Sequence, residues 1–158
     1  MSDPTSHGLL ATRLVEATKA GAHEYVAEVL SKLASSVSVE LPAMVARELI
    51  DSCASVISRH RVCTDDRTLH SFIVENDCAE SVDVDTLPPG PRAALRALVA
   101  TLNGDESARD IQVGFATRGT PKEVVTVLIH CLIWTLELED FSPAQAPQLS
   151  CYSDGLRD

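Results

Sequence analysis

The sequence predicts an all-α protein: a single-domain bundle of about five to seven helices packed around a long, apolar helix near the C-terminal end. Three observations lead there. Hydrophobic residues make up 45% of the 158 residues but aromatics only 4%, so the core is built from Leu, Val, Ile and Ala. Apolar residues recur with helical period in several separate segments. Residues that start and stop helices stand between those segments. The bundle is assigned to residues 1–140. Residues 141–158 hold two prolines and no helical period, and are expected to be flexible or to lie along the surface.

Leu9, Leu10, Leu14, Val15 and Ala17 fall near helical spacing, and Gly21 breaks that pattern. In the next segment Ala22, Tyr25, Val26, Val29, Leu30 and Leu33 form one stripe, with a favourable Glu28–Lys32 pair on the polar side. Pro42 suits a first helical turn, where a missing N–H costs nothing. From there to about His60 the inward stripe is Ala46, Leu49, Ile50, Cys53, Val56 and Ile57.

The stretch from Arg61 to Gly90 is acidic and the least regular, with Leu69, Phe72 and Ile73 offering two helical turns. Pro88 and Pro89 are expected to bar helix and force an extended or turning link. A compact helix follows, with Ala94, Leu95, Leu98, Val99 and Leu102 inward and Gly104 as its C-terminal stop. Asp105 caps the next short helix, which is expected to turn Ala108, Ile111 and Phe115 inward. Thr120, Pro121 and Glu123 then spell a capping box at the head of the long apolar helix.

Two alternating segments, Ser36–Pro42 and Ser81–Pro88, each precede a helix. They read as extended helix entries, with a two-stranded ribbon between them or a duplicated unit as alternatives.

A net charge of −10 disfavours direct binding to phosphate backbones and anionic lipids. The N-terminal segment has acidic Asp3 before any basic residue and no apolar run, unlike a signal peptide. Val124–Leu138 falls short of the roughly 20 apolar residues of a membrane span. Five cysteines (Cys53, Cys63, Cys78, Cys131 and Cys151), widely spaced, argue against a disulfide framework and fit reduced thiols in the cytoplasm. A redox or metal role for Cys151 is the alternative to that reading.

Motifs for catalysis are missing from the sequence. Phosphate-binding glycine loops and a nucleophile elbow do not occur, and none of His7, His23, His60, His70 or His130 has a His or Glu partner at helical ligand spacing. Asp65, Asp66, Asp77 and Glu80 lack the pattern of a calcium loop. No cofactor or metal is expected. His130 and Cys131 are neighbours on a helix and point about 100° apart, so they do not face each other as a base and its nucleophile. His130 is expected to hydrogen-bond along the polar seam of Glu123, Thr126, His130 and Glu137.

The leading functional expectation is a cytoplasmic, non-catalytic interaction or regulatory domain that self-associates or binds a protein partner. Ile129, Ile133 and Trp134 are its candidate contact residues, because a helix apolar nearly all round must be covered. The alternative is a small-molecule-binding or enzymatic domain that brings His70, His130 and Cys131 together. An acidic mimic of nucleic acid is a weaker third reading.

Overall fold

A computed structural model describes residues 5–38, 40–59, 73–76, 80–140 and 148–151 of the chain. Among them are six helices: α1 (Thr5–Lys19), α2 (His23–Ala34), α3 (Glu40–Arg59), α4 (Pro89–Leu102), α5 (Glu106–Ala116) and α6 (Pro121–Asp140). Two short strands, β1 (Ile73–Glu75) and β2 (Gln148–Ser150), pair in parallel with Val74 opposite Leu149. The all-α fold with a minor ribbon is therefore the fold observed.

The helix termini follow the local chemistry. Gly21 and Gly104 adopt φ of 77° and 75°, a left-handed conformation that side chains with a Cβ resist. Each closes the helix before it with a pair of bonds. Ala22 N–H donates to the Ala17 carbonyl and Gly21 N–H to Thr18. Asp105 N–H and Gly104 N–H do the same to Ala100 and Thr101. Asp105 then caps α5, accepting from Ala108 N–H at 3.0 Å. At α6 the capping box forms as the spacing predicts: Thr120 N–H donates to Glu123 Oε2 at 3.1 Å, and Glu123 N–H to Thr120 Oγ1 at 3.3 Å.

α6 is the centre. It packs against α1, α2, α3, α4 and β2, and it buries one broad face that includes Val124, Val127, Leu128, Cys131, Trp134 and Leu138. α3 is its main partner, with Val45, Leu49, Ile50, Cys53 and Ile57 inward. α4 crosses α6 closely at Gly90 and turns back through Gly104 into α5, which lies on α4 and α3. Buried threonines raise no polar debt, because Thr117 and Thr135 donate to the carbonyls of Val113 and Cys131 one turn earlier.

The structure corrects several expectations. α4 starts at Pro89, earlier than the barred link allowed, because Pro89 and Pro91 both sit in the first turn, which has no use for their missing N–H groups. α5 turns Val113 and Ala116 inward and leaves Ile111 and Phe115 outside. On α4, Val99 is likewise exposed. The ribbon is not made by Ser36–Pro42 and Ser81–Pro88. Glu40–Pro42 already belongs to α3, Ser81 makes one antiparallel bridge to Glu75, and Val84–Thr86 is a 3₁₀ turn. Ile73 opens β1 instead of ending a helical turn, while Leu69 and Phe72 lie outside the described residues.

In the tail the structure describes residues 148–151, of which Leu149 and Cys151 are buried in the core cluster. A polar patch on α6 secures them. Trp134 Nε1–H donates to the Ser150 carbonyl at 2.7 Å, and Glu137 accepts from both Ser150 N–H and its hydroxyl at 2.9 and 2.6 Å.

Candidate functional site

The side chains singled out on α6 do not converge on one site. His130 is buried, and its Nδ1–H donates to the Thr126 carbonyl at 2.7 Å, which is the seam hydrogen bond expected of it. Its ring lies against Trp134 with centroids 5.9 Å apart. Cys131 faces α3. The Thr135 hydroxyl, already donating to the Cys131 carbonyl, accepts from the Cys53 thiol at 3.5 Å. Burial pushes the Cys53 thiol up to about 12 and raises that of Cys131 as well, since an apolar surround disfavours the thiolate. His70 lies outside the described residues, as do Cys63 and Cys78.

Trp134 is 0% exposed and offers no surface to a partner. Ile129 and Ile133 are half-buried. Ile129 lines, with Val125 and Thr126, a shallow groove of about 380 Å³ against Ser31 and Ala34 of α2.

Three other features stand out on the surface. On α5, Ile111 and Phe115 sit one turn apart and are 57% and 58% exposed. Their exposure follows from the packing. α5 rests on α4 and α3 through Val113 and Ala116, so the opposite side of the helix has no neighbour among the described residues. Sequence reasoning found both residues but assigned them to the core.

The second feature is a cleft of about 630 Å³ between α1, α3 and α6. Ala11, Val15, Leu49 and Val56 make it apolar, with Cys53 and Thr135 at its floor. An exposed ion pair between Lys19 and Glu139, 2.8 Å long, borders it and ties α1 to α6. Nothing in the linear pattern announced this cleft, because its walls come from three separate helices.

The third is a polar cluster where α3 meets α5, beside a wide depression that Arg59 and Thr101 also line. Asp51 faces Arg109 at 3.6 Å, too long for a hydrogen bond, and Arg109 also pairs with Asp110 at 3.0 Å. Asp51 Oδ1 and Arg47 Nε are buried without hydrogen-bond partners. Desolvation raises the Asp51 carboxyl above its ordinary range, against the lowering pull of Arg109 and Arg47.

No family model, curated protein or solved structure matches the chain. The chemistry therefore rests on these side chains alone. Among the described residues no three His, Cys, Asp or Glu side chains gather as metal ligands. No helix among them is long and apolar enough to cross a membrane.

Proposed function

We propose that this protein is a non-catalytic interaction domain that docks a protein partner, or a second copy of itself, through the outer face of α5. The observation that supports the reading is the pair Ile111 and Phe115, both more than half exposed at i, i+4 spacing. Single exposed apolar residues are ordinary. Two large ones stacked on one helical face match the anchor spacing with which helices meet partners. This moves the proposed contact from α6 to α5, since the sealed Trp134 leaves α6 only the half-buried Ile129 and Ile133.

The test compares the chain with the double variant Ile111→Glu/Phe115→Glu. Intact-complex mass and affinity capture from native lysate are read for both. Loss of an assembly in the variant, with helix content by circular dichroism unchanged, supports the reading. Identical assembly, or a monomer without partner in both, overturns it.

The cleft between α1, α3 and α6 favours a second reading, binding of a small apolar molecule. Its volume of about 630 Å³ lies in the range of ligand pockets, and Thr12 and Ser52 supply hydroxyls at its wall. Filling it with Val56→Trp abolishes ligand retention in native mass spectrometry if this reading holds.

A further inference from the structure

β2 meets its two neighbours in different ways. On one side it has a strand: Cys151 N–H donates to the Glu75 carbonyl at 2.8 Å, in parallel register with β1. On the other side it has a helix, whose side chains do the work of a strand. Both backbone groups of Ser150 point away from β1. Trp134 Nε1–H takes the carbonyl at 2.7 Å and Glu137 Oε1 takes the N–H at 2.9 Å. Glu137 Oε2 also accepts the Ser150 hydroxyl at 2.6 Å. Leu149 and Cys151, two residues apart, share a face of the strand and are 0% and 1% exposed. Two polar contacts thus hold the backbone of residue 150, one reads its hydroxyl, and the apolar core receives its neighbours.

Sites that accept extended peptides have this construction: main-chain pairing with a strand gives affinity, and pockets for alternate side chains give selectivity. We propose that the groove between β1 and α6 is a binding site for an extended peptide with the order apolar, serine, small apolar, and that residues 148–151 occupy it in cis. The ligand class follows from the contacts. The first residue fills the Leu149 pocket. The serine satisfies Glu137 through both its N–H and its hydroxyl. The third residue fits where the Cys151 thiol lies. A residue without a hydroxyl at the centre leaves Glu137 Oε2 short of a donor, which makes Glu137 the selecting group. The tethered strand competes at an effective concentration on the order of mM, so a peptide in trans enters when the cis strand is weakened or released. The inference is independent of the α5 face and can fail or succeed without it.

Trp134 is the chain's one tryptophan, so its emission reports the state of the groove. The probe is a synthetic peptide, Ala-Pro-Gln-Leu-Ser-Cys-Tyr, covering residues 146–152 and labelled for anisotropy. Leu149→Asp in the full chain prevents its own strand from seating. Its Trp134 emission shifts to the red, added peptide shifts it back, and it binds peptide about tenfold or more tighter than the unaltered chain. The same peptide with alanine for serine binds about tenfold weaker, as expected for loss of a hydrogen bond to a charged group. Glu137→Gln combined with Leu149→Asp removes that difference between the peptides. If Leu149→Asp fails to fold, Ser150→Ala gives a smaller gain in peptide binding of the same sign. A folded variant that shows no gain in peptide affinity, or that binds both peptides equally, overturns the proposal.

Discussion

Gly90 of α4 lies so close to Val127 of α6 that a Cβ on the glycine would stand 2.8 Å from Val127 Cγ2. The two helices meet there because one of them carries no side chain. Alanine at this position overpacks the contact at a cost of about 1–3 kcal/mol, more than the roughly 0.5–1 kcal/mol that alanine gains over glycine in a helix. At Gly8 of α1 a Cβ meets only the flexible end of Glu48 at an ordinary 3.7 Å. Urea denaturation is expected to show Gly90→Ala less stable than the unaltered chain and Gly8→Ala more stable. The same sign for both would contradict this account of α4 on α6.

The capping box at the start of α6 makes a second pair of expectations. Thr120→Ala removes the hydroxyl that accepts from Glu123 N–H and lowers stability by about 1 kcal/mol. Gly119→Ala has a similar effect by a different route, because its methyl group collides with the Glu123 carboxylate and drives it from Thr120 N–H. Thermal unfolding of the two single variants and the double variant measures it. Their effects should fall short of additive, since both disable one reciprocal motif.

Asp51 gives a pH dependence with a definite sign. Its folded carboxyl is raised above 3.8, chiefly by desolvation, so the folded chain takes up this proton more readily than the unfolded chain. The contribution to stability is fully present below the unfolded value and is lost as pH rises through the folded value. Asp51→Asn lacks this titration. The difference in urea midpoint, unaltered chain minus variant, should therefore decline from acidic toward neutral pH and then level off. A difference that rises over that interval would show Arg109 and Arg47 outweighing burial.

Thiol chemistry separates the buried cysteines from reactive ones. With Cys53 raised to about 12 and Cys131 raised too, neither supplies thiolate near pH 8. Iodoacetamide at that pH should leave both unmodified in the native chain and alkylate both in urea, as read by peptide mass mapping. Modification of Cys53 without unfolding would mean that the cleft above it admits reagent to the floor.

Much of this architecture was legible one element at a time. Gly21, Gly104, Asp105 and the Thr120–Glu123 box act through near neighbours in the chain, so their roles are written locally. The failures are non-local. On α5 the helical period permits two inward faces. The larger residues Ile111 and Phe115 suggested one, and contact with α3 and α4 selected the other, with Val113 and Ala116. β2 has three residues, too few for a period, and its partner β1 lies far back in the chain. A trace of it was present all the same. Glu137 on a largely apolar helix needed something to accept from, and Ser150 supplies it. The α1, α3 and α6 cleft had no linear trace at all.

The placement of α6 also bears on synthesis. As the ribosome delivers this chain, helices α1 to α5 emerge with apolar stripes whose shared support has not yet been made. Their lasting arrangement waits for α6, and the sheet waits longer still for Leu149. A nascent chain arrested near Gly119 should therefore be protease-sensitive and engage chaperones, while extension past Cys151 should release it.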